Sequence, residues 1–282
     1  MRTLSLGYSP CPNDTFIFYA LVHGKVDTDN LIFKEILLDV ETLNQMALDY
    51  KLDITKISYH AFGYLSGDYC LLRSGSAMGR NCGPLIVAKE NYAFEDLKGK
   101  RIAIPGRLTT ANLLLHLFAS DFKLHPLSLT MMPFYEIMDV VKKGDADAGL
   151  VIHEGRFTYH LYGLKKVVDI GEWWEKETNL PLPLGGIIAK RNLGEDMIRK
   201  VDSLIRKSVE YSLQQREESK VYIKMHSQEL EDEVIEHHIH LYVNDYSLDI
   251  GEDGLSAVRE LLRRAENTGI MKRSRKDVLC IT

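Results

Sequence analysis

The amino-acid sequence predicts an α/β protein of two lobes, a clamshell whose lobes are joined by two hinge crossings. Strand and helix patterns alternate through the first two thirds of the 282 residues, which is typical of sheets covered by helices. A middle unit, residues 89–185, has a complete alternation of its own and the size of a small domain. Two similar segments border this unit, GPLIVAK at 83–89 and LGGIIAK at 184–190, and we interpret them as adjacent hinge strands. The predicted division is a large discontinuous domain, residues 1–88 and 186–282, with residues 89–185 inserted as a small domain.

The large domain begins with alternating strands and helices and ends with helices alone. Asn13 or Asp14 is expected to cap the first helix, and Asp39 the second. The later segments are charged on one side and apolar at i, i+3 and i+4, which predicts helices that complete this domain. The predicted strands are residues 3–7, 31–38, 53–57, 69–72 and 85–88, and the predicted helices are residues 15–23, 195–215, 217–225, 232–242 and 254–267 together with the segment after Asp39.

The small domain shows the same alternation on a shorter scale. Gly144 follows an amphipathic segment and is expected to end that helix in the left-handed conformation. The predicted strands are residues 101–105, 128–133, 147–152 and 165–170, and the predicted helices are residues 110–122 and 135–143. Strands of this kind, separated by helices, favour a parallel or mixed sheet with helices on its faces.

Composition excludes several classes of function. Lysine and arginine number 35 against 40 aspartates and glutamates, a net charge of −5, and no basic cluster suits a nucleic acid. No run approaches the roughly 18 apolar residues of a membrane span, and the first residues lack the apolar region of a signal peptide. Cys11, Cys70, Cys82 and Cys280 are scattered without metal-ligand spacing. We therefore expect a cytoplasmic protein with free thiols, no disulfide and no metal, and the oligomeric state stays open.

Two threonines, Thr109 and Thr110, stand between a predicted strand and an apolar helix. Their hydroxyls and the free N–H groups of the first helical turn are suited to an anion, and a carboxylate fits that description. An ordinary helix cap is the alternative for such a pair, and the two roles can coexist.

His153 ends a predicted buried strand at the carboxyl edge of a sheet, where open α/β folds place ligands. An imidazole there titrates near neutrality and can serve as a general base. A structural histidine is the alternative. His237, His238 and His240 lie in a charged predicted helix, for which a solvated face is expected rather than a metal site.

Two further segments are expected to line the cleft. Residues 9–14 would lead into a helix start, with Ser9, Asn13 and Asp14 facing the cleft; Cys11 lacks a neighbouring histidine and is expected to be an unreactive buried thiol. The glycine-bearing residues 73–80 lack both nucleotide-binding patterns, so Arg73 and Ser76 are expected to lie in a cleft-lining loop.

Several motifs together carry a family resemblance. DLKGKRIA at 96–103 and KGDADA at 143–148 resemble the second lobe of type II periplasmic-binding-protein folds. SPCPNDTF at 9–16, IPGRLTTA at 104–111 and IHEGRFTY at 152–159 are more specific. The chain resembles the 1,4-dihydroxy-6-naphthoate synthase family of the futalosine route to menaquinone, from the first strand through YSLDIG at 246–251.

This resemblance implies a cofactor-free lyase that converts cyclic dehypoxanthine futalosine to 1,4-dihydroxy-6-naphthoate. It implies that His153 is the base, and that Lys56, Ile57, Ser58 and the paired threonines contact the substrate. The segment between those threonines and His153 is a few residues longer than in some relatives, so its loop geometry is open. Two alternatives share the fold: a solute-binding protein and chorismate dehydratase of the same pathway.

Overall fold

The computed structural model describes residues 1–228, 231–272 and 277–279. These residues form two mixed β-sheets together with the helices around them. The strands are β1 Arg2–Tyr8, β2 Leu31–Leu37, β3 Ile54–Ser58, β4 Tyr69–Leu71, β5 Ala77–Gly79, β6 Leu85–Ala88, β7 Arg101–Ile104, β8 Ser128–Met131, β9 Ala148–Val151, β10 Lys165–Asp169 and β11 Leu182–Lys190. The helices are α1 Pro12–Val22, α2 Val40–Leu48, α3 Tyr59–Leu65, α4 Thr110–Asp121, α5 Ile137–Lys143, α6 Gly155–Thr158, α7 Ile170–Thr178, α8 Glu195–Gln214, α9 Arg216–His226, α10 Asp232–Tyr242, α11 Asp245–Leu248 and α12 Gly251–Asn267.

The larger sheet has six strands in the order β2-β1-β3-β11-β4, with β5 also paired to β11. β1 is parallel to β2 and β3, whereas β11 returns antiparallel to β3. Helix α1 packs against α8, α9 and α10. Because the three parallel strands point the same way, their carboxyl ends meet at one edge of the sheet.

The smaller sheet has five strands in the order β10-β6-β9-β7-β8. β7 is parallel to β8 and β9, and β6 is antiparallel to β9 and β10. The two similar segments of the sequence are β6 and β11, and they lie in different sheets, so the interpretation as adjacent hinge strands is wrong. Each of them instead pairs antiparallel with a strand inside its own sheet, β6 with β9 and β11 with β3. Strands in equivalent buried positions have similar apolar patterns.

One predicted domain border falls at the end of β6 and the other falls within β11. β6 was assigned to the large domain by the border at residue 88, but it pairs within the smaller sheet. β11 starts at Leu182, four residues before the border at residue 186, and it pairs within the larger sheet. The division at residues 88 and 186 stays a prediction, and sheet membership places both crossings a few residues earlier.

Local chemistry explains several helix ends. Asp39 caps α2 as predicted, because its Oδ1 accepts hydrogen bonds from the N–H groups of Glu41 and Thr42 at 3.0 and 3.1 Å. Gly144 ends α5 with φ +88°, the left-handed conformation that glycine adopts without steric cost. The expected cap at Asn13 or Asp14 is wrong, since α1 begins at Pro12 after Cys11. Proline suits a first helical position, and the earlier start places both polar residues inside the first turn.

The cysteines differ from the expectation of four free thiols. Cys11 and Cys82 are free and buried, and burial raises the pKa of both thiols. Cys70 is disulfide-bonded, which contradicts the predicted absence of a disulfide. Cys280 lies outside the described residues.

No helix in the described part of the chain is long and apolar enough to cross a bilayer.

Candidate active site

A cavity lies between the carboxyl ends of the parallel strands of both sheets. Open α/β sheets bind ligands at this edge. Apart from the base, the sequence predicts ten residues that contact substrate or line the cleft. Eight of them line this cavity: Ser9, Asn13, Asp14, Lys56, Ile57, Ser58, Thr109 and Thr110. His153 lines it as well. The fold therefore assembles residues that lie far apart in the chain.

Arg73 and Ser76 are the two that do not line this cavity. Arg73 forms a bidentate ion pair with Asp249, with Nε–Oδ2 and Nη2–Oδ1 distances of 3.1 and 2.8 Å. Ser76 is fully buried, and its hydroxyl bonds the Tyr59 hydroxyl at 3.0 Å. Both side chains are used in contacts within the protein, and their expected cleft-lining role stays a prediction.

The first turn of α1 holds a carboxylate, Asp14, at the cavity wall. Its Oδ2 accepts a hydrogen bond from the Ser9 hydroxyl at 2.8 Å, and its Oδ1 accepts one from Asn13 Nδ2 at 2.8 Å. The ammonium of Lys56 lies 3.1 Å from Asp14 Oδ1 and also donates to the Gly75 carbonyl at 2.7 Å. Lys56 thus reaches the cavity with its charge already paired.

Ser58 ends β3 and faces the same cavity. Its Oγ accepts a hydrogen bond from Asn44 Nδ2 at 3.1 Å, while its backbone N–H donates to Asn44 Oδ1 at 2.9 Å. Asn44 was not predicted, yet it fixes this serine in place. Since the serine oxygen accepts from Asn44, its hydroxyl hydrogen can point to an acceptor group of a ligand.

The paired threonines at the start of α4 use their hydroxyls within the protein. Thr109 Oγ1 donates to the Gly106 carbonyl at 2.9 Å and caps Asn112 N at 3.2 Å, so the capping alternative describes it. Thr110 Oγ1 donates to the Leu184 carbonyl at 2.6 Å. Neither hydroxyl has a second hydrogen to offer an anion.

The donors that remain at this helix start are backbone N–H groups. In the described ranges, no group accepts a hydrogen bond from the N–H of Thr110 or Ala111. Both residues line the cavity, and the helix dipole adds positive potential there. A carboxylate would therefore bind to the backbone rather than to the threonine hydroxyls.

His153 follows β9 with φ +54°, a left-handed conformation that is uncommon outside glycine. This backbone turn, two residues beyond the strand end, directs the half-buried imidazole to the cavity wall beside Phe134, at a ring distance of 4.9 Å. Burial lowers the pKa of His153 to about 4; Asp14 raises it and Lys56 lowers it further by smaller amounts. The imidazole is therefore neutral at pH 7 and can accept a proton.

His238 is the residue that sequence reasoning missed. It was expected on a solvated helix face, but it is fully buried in α10, whereas His237 and His240 are exposed. Its ring lies parallel to that of His153, with centroids 5.9 Å apart and an interplanar angle of 7°. The buried positions Ile235, His238, Ile239 and Tyr242 are spaced i, i+3, i+4 and i+7, and this spacing was the available signal.

His153, Glu154 and His238 converge closely. One nitrogen or oxygen from each lies within 4.8 Å of the others, which makes them, within the described residues, the one group of three such side chains that could share an ion. The expected absence of a metal thus remains a prediction and requires a direct test.

Comparisons with known proteins agree with this geometry. A family model described as menaquinone biosynthesis matches residues 4–267. A 1,4-dihydroxy-6-naphthoate synthase of Thermus thermophilus is 51% identical over 270 residues, which cover 96% of each chain. A protein of the same name from Streptomyces coelicolor is 44% identical over 278 residues, covering 98% of each chain.

Solved structures agree with the predicted fold class. A crystal structure from Archaeoglobus fulgidus has a TM-score of 0.89 and 37% identity, covering 95% of this chain and 98% of that one. The periplasmic aliphatic sulphonate binding protein of Escherichia coli has a TM-score of 0.68 at 12% identity, covering 98% of this chain and 90% of that one. The second likeness shows the periplasmic-binding-protein-like fold alone. Because the family model and the two sequence relatives each match nearly the full length of the chain, the chain belongs to the menaquinone biosynthesis family.

Proposed function

We propose that the chain is a lyase that forms 1,4-dihydroxy-6-naphthoate from cyclic dehypoxanthine futalosine, with His153 as the base. The observation that carries this proposal is that a neutral imidazole and the N–H groups of Thr110 and Ala111 face the same cavity, in a chain 51% identical to a synthase of that name. The high identity favours the synthase over a solute-binding protein or a chorismate dehydratase.

Different residues of the cavity bind the ligand and carry out the proton transfer. The N–H groups of Thr110 and Ala111 hold the carboxylate of the naphthoate part, and Ser58 donates to another oxygen of the ligand. This orientation presents the sugar-derived part to His153. The imidazole removes a proton from a carbon next to a carbonyl, and the electron pair moves onto the carbonyl oxygen as an enolate. The enolate then forms a carbon–carbon double bond as the naphthoate part leaves with the electron pair of the broken bond, and the imidazolium returns the proton to that leaving group.

The partner is thus a small molecule, and we place the reaction in the cytoplasm without a nucleic acid or membrane partner. The net charge of −5 offers no basic surface for nucleic acid. The free buried thiols of Cys11 and Cys82 suit a reducing compartment, whereas the disulfide at Cys70 is unusual in one.

Product analysis tests the function directly. We expect protein dialysed exhaustively against EDTA to release 1,4-dihydroxy-6-naphthoate from cyclic dehypoxanthine futalosine and to leave chorismate unchanged, as measured by mass spectrometry. Failure with the cyclic compound under all conditions would contradict the proposed lyase. Turnover that returns only with a divalent ion would instead overturn the cofactor-free mechanism and assign the ion to the cluster at His153.

The helix-start site predicts a strong preference for a free carboxylate. The methyl ester of the product should bind at least about tenfold more weakly than the product, because a hydrogen bond to a charged group contributes about 1.5–3 kcal/mol. Calorimetry gives the two affinities, and NMR should show the amide signals of Thr110 and Ala111 shifting with the acid. Equal affinities, or amide shifts confined to other residues, would place the carboxylate elsewhere.

A further inference from the structure

Helix α2 carries two side chains, Glu41 and Asn44, that reach the groups proposed to bind the ligand. The helix packs against β3 of the larger sheet. Glu41 and Asn44 are three positions apart, so they are neighbours on one side of the helix. Asn44 Nδ2 lies 3.4 Å from Glu41 Oε2, which joins the two side chains in one network. Neither is among the described residues that line the cavity.

Glu41 holds the loop that leads into α4. Its Oε1 and Oε2 both accept the N–H of Leu108, at 3.0 and 3.1 Å. The N–H of Arg107 also donates to this side chain. Because the loop follows β7 of the smaller sheet, these bonds tie the smaller sheet to a helix of the larger one.

The loop and the first turn of α4 form one hydrogen-bonded unit. Thr109 Oγ1 donates to the Gly106 carbonyl at 2.9 Å, and Asn112 Nδ2 donates to the Arg107 carbonyl at 2.9 Å. A displacement of the loop therefore displaces the helix start that is proposed to bind the carboxylate.

Gly106 permits the close approach of Glu41 to this loop. A Cβ atom at position 106 would lie 2.5 and 2.7 Å from the Cδ and Cγ atoms of Glu41. Carbon atoms in favourable contact are about 3.5–4.0 Å apart. Any side chain at this position would push the Glu41 side chain away from Leu108. Glycine is needed here for space, since its backbone does not adopt a positive φ.

Asn44 holds the other group that is proposed to bind the ligand, Ser58. Its Nδ2 donates to Ser58 Oγ at 3.1 Å, and its Oδ1 accepts the Ser58 N–H at 2.9 Å. Asn44 is fully buried, so water does not replace these bonds. One helix therefore sets the position of Ser58 and, through Glu41, the position of the α4 start.

We propose that Glu41 is a positioning residue that fixes the distance between the carboxylate-binding N–H groups of α4 and Ser58. The inference rests on the proposed function, which supplies the ligand. Glu41 acts on the ligand only through Leu108, as Asn44 acts only through Ser58. The ligand is then selected by the spacing between its carboxylate and its second oxygen.

The Glu41→Ala variant tests this role by its preference for a carboxylate. We expect the affinity for 1,4-dihydroxy-6-naphthoate to fall about tenfold or more, while the affinity for its methyl ester changes less than about twofold. Only the acid makes charge-assisted hydrogen bonds to the displaced N–H groups. KM for the cyclic compound should rise in parallel, with kcat within about threefold.

Calorimetry gives the two affinities, and NMR should show the amide signals of Thr110 and Ala111 displaced in the free variant. An unchanged affinity for the acid would overturn the proposal. An affinity that increases would also overturn it, because the charge of Glu41 would then repel the ligand rather than position its site.

Gly106→Ala applies the same displacement and keeps the carboxyl group. It should lose the same preference for the acid. The double variant should be no worse than Glu41→Ala alone, because the shortened side chain leaves room for the new methyl group. Additive losses, or a normal preference for the acid in Gly106→Ala, would contradict the positioning role.

Gln45→Ala is the matched control, since Gln45 is exposed one turn further along α2 and should leave both affinities unchanged. If the wild type prefers the acid and Glu41→Ala keeps that preference, this inference fails and the proposed carboxylate site stands. Equal affinities of acid and ester in the wild type would overturn both. A wild type that binds the acid but does not convert the cyclic compound would refute the proposed function, and the two affinities would still decide the role of Glu41.

Discussion

Replacing His153 with alanine is expected to lower kcat by about 10²- to 10⁴-fold, the usual contribution of a general base. KM should change little, because the proposed carboxylate and hydroxyl contacts of the ligand are made by Thr110, Ala111 and Ser58 rather than by His153. His153→Gln, which retains hydrogen bonding but cannot take the proton, should fail to a similar degree. Steady-state kinetics on protein whose fold is checked by circular dichroism gives the answer.

The pH dependence supplies a second measurement on the same residue. Burial lowers the pKa of His153 from 6.5 to about 4, so the neutral base persists below pH 6 and the acid limb of kcat/KM should lie near pH 4. Because the folded-state pKa is the lower one, this histidine also lowers stability progressively as the pH falls from 6.5 toward 4. The exposed His160 provides the control, since His160→Ala should leave kcat unchanged. A folded His153→Ala protein with near-normal kcat would make this histidine structural.

Replacing Asp14 with asparagine is expected to lower the free energy of unfolding by about 3–5 kcal/mol, the cost of leaving one member of a buried ion pair alone. The side chains of Asp14 and Lys56 are each only 5% exposed, so water cannot replace the lost carboxylate. The amide that replaces the Asp14 carboxylate also competes with Asn13 for the hydrogen-bond partners of Asp14. The side chain of Asn13 is then no longer held in the orientation that directs its oxygen to His238. Urea denaturation measures the change.

An exposed ion pair provides the comparison for that experiment. Lys51 and Asp49 lie 3.0 Å apart with side chains 59% and 45% exposed, so Asp49→Asn should cost no more than about 1 kcal/mol. Similar small losses for both variants would mean that Lys56 finds another partner, and the electrostatic description of the cavity wall would have to change.

The sequence pattern located nearly all strands and the long helices because burial imposes a period on apolar residues. β6 at Leu85–Ala88 and α10 at Asp232–Tyr242 have the predicted bounds, and α4 begins at Thr110 as predicted. Local hydrogen bonding decided the cap at Asp39, and backbone sterics decided the stop at Gly144. Helix α7 at Ile170–Thr178 was not among the predicted helices.

The errors share a different origin. Whether a threonine hydroxyl is free depends on which carbonyl lies beside it, and Thr110 bonds Leu184, 74 residues away in the chain. Whether a histidine in a charged helix is solvated depends on what packs there, and His238 meets Asn13 across 225 residues. The pairing of β6 and β11 likewise depends on long-range order in two sheets.

The sequence by itself therefore determined the fold class, the family and nine of the residues that line the cavity, because these follow from local periodicity and from short motifs. Only the tertiary structure decided how those residues are used: which donors at α4 remain unbonded, how the ammonium of Lys56 is neutralised, and that His238 and Glu154 meet beside His153. The physical reason is that hydrogen bonds and ion pairs act over about 3 Å. Their partners are brought within that distance by the packing of segments that are remote in sequence.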